Sequence, residues 1–272
     1  MTPPSFLPHA LLNGALVATD EARVSPLGDG FMFGHGLFET IKIRRGQPRF
    51  FGDHNARLAR SAEMLGLGGI FSRAELRSHC HGVIAANQLV DGSIKVVLFQ
   101  DKETTGELIL ARRGLYPEEL YTRGFRLQLR VGQARSGTQY AHKTLNYLHN
   151  LTAKREALAA GFDEALFVDE NENLLEGATS NVFVVLGRQV VTPPTDGRIL
   201  PGVARGRVLR LLGKRAAEVP VSLGRLEEAT EVFVTNALLD VMPVSRIGER
   251  SFDLAKNPVT RLLQARYTSS VD

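Results

Sequence analysis

Apolar runs separated by turn residues dominate the first hundred positions, a pattern typical of short β-strands. Residues 10–19, ALLNGALVAT, carry Asn-Gly between two such runs, which predicts a β-hairpin. LFETIKIRRGQPRFF predicts two further strands. SIKVVLFQ and ELILARR predict another pair around the turn DKETTG, so this part of the chain should form a sheet.

Two segments within this part have the period of a helix instead. DHNARLARSAEMLGL places apolar side chains on one face, and its Asp53 is the expected N-cap. SRAELRSHCHGVIAANQL begins at Ser72 with Glu75 three residues later, which predicts a capping box. Strands with two helices packed on one side indicate an α+β domain.

The polar stretch GLYPEELYTRG interrupts the pattern, and we place the link between two domains there. The predicted domains are residues 1–118, α+β, and residues 119–272. In the second, FRLQLRVGQ predicts a strand, and residues 145–160 predict a helix that ends at Gly161.

The remainder of the second domain is rich in β-structure. The predicted strands are EALFVD, LLEG, SNVFVV, VVTPP and EVFVTNA, and the predicted helices are PGVARGRVLRLLGKRA, RLEEAT and NPVTRLLQARY. No repeats or low-complexity runs interrupt them.

Composition narrows the functional classes. The 272 residues are 43% hydrophobic and 23% charged, as in ordinary globular proteins. The net charge is +4 with acidic and basic residues mixed along the chain, so a nucleic-acid partner is not expected. A single Cys80 excludes an internal disulfide and a cysteine-rich metal site and favours a reducing compartment. We expect a cytoplasmic protein with no membrane span.

Lys143 is the first candidate for chemistry. It stands just before the predicted helix 145–160, where the helix dipole disfavours a cation. That field, with partial burial, would favour the neutral amine and prepare a Schiff-base nucleophile. The alternative is an ordinary surface lysine that extends to water.

Each of the other candidate site residues gives a weak signal when it is considered by itself. Glu176, at the end of a predicted strand in LLEGATSNVFVV, is either an exposed turn residue or a carboxylate that faces a pyridinium nitrogen. Gly202 and Val203 begin a predicted helix whose free N–H groups can bind phosphate. The Thr235 hydroxyl can bind the same anion or can merely cap backbone groups. The Arg57 guanidinium can also bind this anion, or it can be an ordinary solvated charge on a helix.

These residues occur in an informative order. An arginine on an early helix precedes KTLNYLHNLTAKREA, then EGATSNVF, LPGVAR and TNALLDVMPV. Together with NGALVA and DGFMFGHGLFETIKI, this order resembles the fold-type IV pyridoxal-phosphate enzymes, the class IV aminotransferase family. The resemblance runs over nearly the whole chain.

The resemblance implies a two-domain fold, with a smaller N-terminal α/β sandwich and a larger, β-barrel-like C-terminal domain with helices. It implies pyridoxal 5′-phosphate (PLP) as cofactor, a small amino compound as substrate and a homodimer, for which the aromatic cluster FMFGHGLF is a candidate contact. The implied site residues are Lys143 as covalent anchor, Glu176 at the pyridine nitrogen, Tyr147 near the phenolic oxygen, and Arg57, Gly202, Val203, Thr235 and Asn236 around the phosphate.

Some positions depart from the transaminase pattern. Ala204 stands in PGVAR where transaminases often have PGITR, and Ala237 stands where they often have threonine. The arginine–histidine pair by which D-amino-acid transaminases bind an α-carboxylate is absent from QDKETTG, and so is the Gly- and Arg-rich loop of many lyases.

Three activities share the implied scaffold: 4-amino-4-deoxychorismate lyase, which releases pyruvate and forms 4-aminobenzoate for folate synthesis, and branched-chain or D-amino-acid transamination. TNALLDVMPV most resembles the lyases, so the sequence favours that activity. Thr40 would then supply a hydroxyl near the leaving group, although a β-branched residue is also ordinary in a strand. The plainer interpretation of His35 is a loop histidine with its hydrogen bonds satisfied. The plainer interpretation of Arg112 and Arg113 is that they are surface charges.

Two other classes of protein remain as alternatives. A basic, non-enzymatic binding protein is supported only by the sequence pI of about 9.4. Its cations are dispersed and few aromatic residues lie among them, unlike in proteins that bind single-stranded nucleic acid. An inactive scaffold conflicts with the presence of both Lys143 and Glu176.

Overall fold

The computed structural model describes residues 6–68, 72–133 and 138–270. These residues form two compact units. The first contains the chain up to Leu115 together with His142–Asn146, and the second contains Tyr116–Ala141 and Tyr147–Ser270. The domain boundary at residue 118 stays a prediction, but the short segment that carries Lys143 groups with the first unit.

The first unit is an antiparallel sheet with helices. Its elements are β1 (His9–Leu12), β2 (Ala15–Ala18), α1 (Asp29–Met32), β3 (Gly36–Arg44), β4 (Gln47–Pro48), α2 (Phe51–Met64), α3 (Arg73–Ala86), β5 (Gly92–Asp101) and β6 (Thr104–Arg113). The six strands are ordered β2-β1-β6-β5-β3-β4. The predicted hairpin is confirmed, since Asn13 and Gly14 join β1 to β2 with φ of 49° and 82°, as a tight Asn-Gly turn requires.

The two faces of this sheet differ in character. On the helix face, Leu37, Ile41 and Ile43 of β3 pack with α2 and α3 in one apolar core. The opposite face, here called the lysine face, consists of Phe38, Thr40 and Lys42 of β3 with Lys95 and Val97 of β5. The alternation along β3 thus assigns Thr40 to the lysine face and Glu39 to the helix face.

The helices of this unit agree only in part with the sequence. The capping box at Ser72 and Glu75 is confirmed by reciprocal hydrogen bonds. Asp53 as N-cap is wrong, because α2 begins at Phe51 after a left-handed Phe50 with φ of 54°. Phe51 is completely buried in the core, and the burial of this ring outweighs the local capping preference of Asp53.

The second unit is built around a nine-stranded sheet. Its elements are α4 (Glu118–Arg123), β7 (Phe125–Arg130), α5 (Leu148–Ala159), β8 (Glu164–Val168), β9 (Leu174–Gly177), β10 (Asn181–Leu186), β11 (Gln189–Thr192), α6 (Val203–Leu212), β12 (Ala216–Glu218), β13 (Glu231–Asn236), β14 (Asp240–Ile247), β15 (Arg250–Ser251) and α7 (Pro258–Ser269), with short 3-10 helices at Thr138–Ala141, Gly213–Arg215, Leu223–Glu228 and Leu254–Lys256. The strand order is β12-β11-β10-β13-β14-β7-β8-β9, and β15 pairs with β14.

The two ends of this sheet approach each other. The Leu174 N–H at the start of β9 donates to the Val221 carbonyl at 2.8 Å, and Asn173 bridges to Ser222 just beyond β12. The strands therefore curl around a shared apolar core, in line with the barrel-like shape expected of the second domain. Within the described ranges, no helix has the length and apolarity needed to cross a membrane.

Two predictions about helices near the start of the second unit are corrected: one segment was expected to be a link without a helix, and one helix was expected to begin earlier. The stretch taken as a polar link contains α4, which Glu118 and Glu119 begin favourably in its first turn. The helix predicted from residue 145 begins at Leu148 instead. Residues 142–146 lie alongside β3 instead, because the backbone groups of Lys143 and Leu145 bond to β3 and are thereby lost to a helix.

Candidate active site

Lys143 lies alongside the start of β3, next to the bridge between Thr144 and Leu37. Its carbonyl accepts a hydrogen bond from the Phe38 N–H at 2.8 Å, and the Leu145 N–H donates to the Gly36 carbonyl at 3.0 Å. The Lys143 Nζ lies 4.3 Å from the centroid of the Phe38 ring. The amine is therefore aimed at the lysine face, and the helix dipole invoked for Lys143 does not act as expected, because α5 begins five residues later at Leu148.

The Phe38 ring also contacts a second ammonium. Lys95 Nζ lies 4.4 Å from the same ring centroid, and Thr40 is the cross-strand partner of Lys95. Burial lowers the pKa of Lys95, and the charge of nearby Arg112 lowers it further. The structure thus brings Lys143 and Thr40 to one face that already concentrates positive charge.

Arg112 is not the plain surface charge expected from the sequence. Its guanidinium stacks 3.9 Å from the Phe6 ring centroid, and burial lowers its pKa. Its Nε is buried and has no hydrogen-bond partner among the described residues. Neither Lys95 nor Arg112 forms an ion pair with another described side chain. Arg113, in contrast, is exposed as expected.

Arg57 lies under the helix face of the same sheet. Its Nε and Nη2 donate to the two carboxylate oxygens of Glu39 at 2.7 Å each, and His54 Nδ1 lies 2.7 Å from Glu39 Oε2. All three side chains are buried. Burial alone would raise the pKa of Glu39, but the charges and hydrogen bonds of Arg57 and His54 lower it to about 2. The carboxylate therefore fixes the Arg57 guanidinium, whose role at a phosphate stays a prediction.

Glu176, in the second unit, is buried at the end of β9. Its Oε2 accepts hydrogen bonds from the Leu200 N–H at 3.0 Å and from Asn181 Nδ2 at 3.3 Å. Asn181 Nδ2 also donates to the Leu200 carbonyl at 2.9 Å. These donors hold the carboxylate in one orientation.

Gly202 and Val203 lie beside this group. Gly202 is the N-cap of α6 with no side-chain cap, and Val203 is the first helical residue. A Cβ at Gly202 would overlap the side-chain oxygen of Asn181, so only glycine fits there. The first-turn N–H groups of an α-helix have no partner within the helix and favour an anion.

Thr235 is completely buried on β13, where it pairs with Asn181 of β10. Its hydroxyl has no hydrogen-bond partner within the described part of the chain. An unsatisfied buried hydroxyl costs about 1–3 kcal/mol, which an acceptor such as a phosphate oxygen would relieve. Through Asn181, the second unit thus brings together the Glu176 carboxylate, the start of α6 and the Thr235 hydroxyl. The carboxylate is an acceptor that suits the ring nitrogen of PLP, and the N–H and hydroxyl groups are donors that suit its phosphate.

Tyr147 and Asn236 support the loop between β9 and β10. The Tyr147 hydroxyl donates to the Ala178 carbonyl at 2.9 Å, and Asn236 Nδ2 donates to the Thr179 carbonyl at 3.0 Å. Asn236 Oδ1 accepts from the N–H groups of Leu238 and Leu239 and so shapes the β13–β14 turn. Direct contacts of Tyr147 and Asn236 with the cofactor stay predictions.

Sequence reasoning missed Asn181, Glu39 and His54. Glu39 had a usable signal, because it occupies a helix-face position of β3 where the alternation calls for an apolar residue. Asn181 had none, since its hydrogen bonds to Glu176 and to the Leu200 carbonyl depend on how the loops after β9 and β11 fold. His35 has the plainer role foreseen for it, with Nε2 2.9 Å from the Leu65 carbonyl oxygen. No group of three or more metal-ligating side chains occurs among the described residues.

Residues 36–247 match the family model described as amino-transferase class IV. The chain is 31% identical to the D-alanine aminotransferase of Bacillus licheniformis, over 96% of each chain. It is 28% identical to the aminodeoxychorismate lyase of Bacillus subtilis, over 96% of this chain and 94% of that one. Similar relatives therefore carry both activities.

Solved structures match over nearly the full length. The branched-chain aminotransferase of Thermoproteus uzoniensis with norvaline superposes with a TM-score of 0.87 at 26% identity, covering 97% of this chain and 94% of that one. The branched-chain amino acid aminotransferase of T.th. with pyridoxamine 5′-phosphate gives a TM-score of 0.87 at 27% identity, covering 96% of this chain and 93% of that one. The predicted α+β fold is thereby confirmed.

Proposed function

The chain belongs to the class IV aminotransferase family and is a PLP-dependent enzyme, and we propose that within this family it is a 4-amino-4-deoxychorismate lyase. The predicted family and cofactor are both confirmed. The observation that mainly supports the lyase activity is that Lys143 and Thr40 share their sheet face with Lys95 and Arg112, two partly desolvated cations that form no ion pair with a carboxylate of the described residues.

That charge distribution favours a substrate with several negative groups. Aminodeoxychorismate has two carboxylates, whereas alanine and the branched-chain amino acids have one. Lys95 and Arg112 are kept partly out of water, so an anion beside them is attracted more strongly than at an exposed lysine. TNALLDVMPV, which resembles the lyases, supports the same activity.

The proposed roles follow from the contacts of each residue. With PLP bound, Lys143 would be its covalent anchor, and the Lys143 Nζ, when free, would accept the proton from the amine-bearing carbon of the substrate. When bound, PLP supplies the electron sink for that carbon. Glu176, held by Asn181 and the Leu200 N–H, would be the carboxylate that favours a protonated pyridine nitrogen.

The phosphate donors are proposed to be the N–H groups at Gly202 and Val203, the Thr235 hydroxyl and the Arg57 guanidinium. Tyr147 and Asn236 hold the β9–β10 loop in place. The Thr40 hydroxyl, on the same face as Lys143, would donate a hydrogen bond to the enolpyruvyl oxygen as this group leaves.

Transamination is the second candidate, because the relative at 31% identity is named a D-alanine aminotransferase. Both activities begin with the same proton removal by Lys143. They differ in their products, since a lyase releases pyruvate with 4-aminobenzoate and a transaminase releases a keto acid.

Analysis of the reaction products distinguishes the lyase activity from transamination. Purified holoenzyme is given aminodeoxychorismate and, separately, a panel of L- and D-amino acids with 2-oxoglutarate. We expect 4-aminobenzoate and pyruvate in equal amounts from the first and little keto acid from the second. Lys143→Ala should lose both activities. Keto-acid turnover without any 4-aminobenzoate would contradict the lyase assignment.

We also propose a homodimer. Large apolar side chains at Leu27, Phe31, Met32 and Phe33 are strongly exposed around α1 in the isolated chain, where a second copy would cover them. Sedimentation of Phe31→Glu should then give monomers where the wild-type protein gives dimers. The cytoplasmic location inferred from the single cysteine stays a prediction.

A further inference from the structure

His142–Asn146 runs beside β3 as a short strand-like segment. Thr144 faces Leu37 in antiparallel register, and backbone hydrogen bonds join Lys143 to Phe38 and Leu145 to Gly36. Successive side chains of extended chain point to opposite faces of a sheet. Lys143 therefore points to the lysine face, whereas His142 points to the helix face.

The register of this segment decides where the amine goes. A slip by one residue would turn Lys143 toward α2 and bring a neighbouring side chain to the lysine face. A pairing as short as this one specifies its register weakly by backbone bonds alone, because few of them are lost in a slip. Side-chain contacts must therefore fix it.

His142 makes such a contact. Its Nδ1 lies 2.9 Å from the Oγ of Ser61, a buried residue of α2. The imidazole or the hydroxyl is the donor, according to the tautomer of His142. A hydrogen bond to a buried partner on the helix face is satisfied in this register and lost in the slipped one.

The other end of the segment is set by close packing. A Cβ at Gly36 would lie 2.6 Å from Leu145 Cδ1, and a Cβ at Gly34 would overlap the Asn146 side chain. Gly36 lets Leu145 approach the first residue of β3, and Gly34 lets Asn146 approach the chain just before it. The two glycines set the spacing of the segment, but they do not decide which way Lys143 points.

We infer that the hydrogen bond between His142 and Ser61 is a positioning device that holds the segment in register and keeps the Lys143 amine on the lysine face. The inference rests on the proposed function, because this aim matters only if Lys143 binds the cofactor. His142 and Ser61 are positioning residues that act through Lys143.

The test follows the rate at which PLP becomes fixed on Lys143. Cofactor-free protein is mixed with PLP, quenched with borohydride at timed intervals, and mapped by peptide mass. Ser61→Ala and His142→Gln should be labelled about two- to tenfold more slowly, the effect of one hydrogen bond. His142→Asn should be labelled near the wild-type rate, because the asparagine amide occupies the place of Nδ1.

A double-mutant cycle tests whether the two side chains act together. Ser61→Ala with His142→Gln should be no slower than the slower single variant. His9→Gln, the same replacement at an exposed histidine, is the matched control and should be labelled at the wild-type rate. Thermal unfolding of each cofactor-free variant reports whether the fold itself has changed.

Three results would overturn the inference: wild-type rates in both single variants, His142→Asn as slow as His142→Gln, or losses that multiply in the double variant. The inference would also be overturned if the labelling rate fell in proportion to the thermal stability of each variant. The hydrogen bond would then stabilise the fold and not the position of Lys143. Wild-type protein without label on Lys143 would instead defeat the proposed function and the inference together.

Discussion

Glu39 and Glu107 are buried carboxylates on the helix face of the same sheet, each beside a histidine, but their pKa values move in opposite directions. Glu39 contacts His54 and Arg57, and its pKa falls from 4.5 to about 2. Glu107 contacts His79, and burial outweighs that contact and raises its pKa. Arg57 accounts for this difference, so replacing each carboxylate by an amide should lower the free energy of unfolding by unequal amounts.

The magnitude for Glu39 follows from its pKa. A decrease of about 2.5 pH units at about 1.36 kcal/mol per unit corresponds to about 3 kcal/mol of stability at pH 7. Because the folded-state pKa is depressed, this stabilisation is complete above about pH 4.5 and lost as the pH falls toward about 2. By pH 3.5 about 1.4 kcal/mol of it should be gone.

Urea unfolding of cofactor-free Glu39→Gln and Glu107→Gln provides the assay. We expect Glu39→Gln to lower the free energy of unfolding by about 3 kcal/mol at pH 7, because Arg57 keeps a buried charge without its carboxylate. That deficit should narrow by about 1.4 kcal/mol at pH 3.5. Glu107→Gln, the matched control, should cost less than about 1 kcal/mol at pH 7.

Equal losses in the two variants would refute this reasoning, and so would a Glu39→Gln deficit that stays constant with pH. Either result would mean that Arg57 does not hold the carboxylate in its ionised form. The guanidinium would then lack the fixed orientation that a role at the phosphate requires.

Three further predictions concern the cofactor and the substrate. Gly202→Ala should weaken PLP binding at least about tenfold in an absorbance titration, because its Cβ would overlap Asn181, and wild-type affinity would contradict the proposed cradle. Thr235→Val should weaken PLP binding about fivefold and leave cofactor-free stability unchanged or raised, since it removes an unsatisfied buried hydroxyl; lower stability with unchanged affinity would be the contrary result. Lys95→Met should raise KM for aminodeoxychorismate about tenfold with kcat within about twofold in steady-state assays, and an unchanged KM would remove the charge argument for the lyase.

Local signals in the sequence predicted much of the fold. The hairpin at Asn13–Gly14, the capping box at Ser72 and the final helix, found at Pro258–Ser269, depend on interactions within a few residues, and the structure confirms all three. Asp53 and the helix from residue 145 failed because tertiary contacts decided them. Phe51 enters the core ahead of the expected cap, and the Lys143 segment pairs with β3.

The sequence allowed single residues of the candidate site to be predicted, but not the contacts between them. Resemblance supplied Glu176, Gly202 and Thr235, whereas the side chain that connects them, Asn181, emerges only from the structure. The same holds for the Glu39–Arg57 pair, whose members are distant in sequence. Contacts of this kind depend on the final register of strands and helices, which no local pattern encodes.

The central claim is that Lys143 carries the cofactor, and one measurement tests it most directly. Protein saturated with PLP is reduced with borohydride, digested and mapped by peptide mass. We predict a phosphopyridoxyl group on the peptide that contains Lys143, and none on the peptide that contains Lys95. A label at Lys95 instead, or no labelled peptide in fully saturated protein, would contradict it.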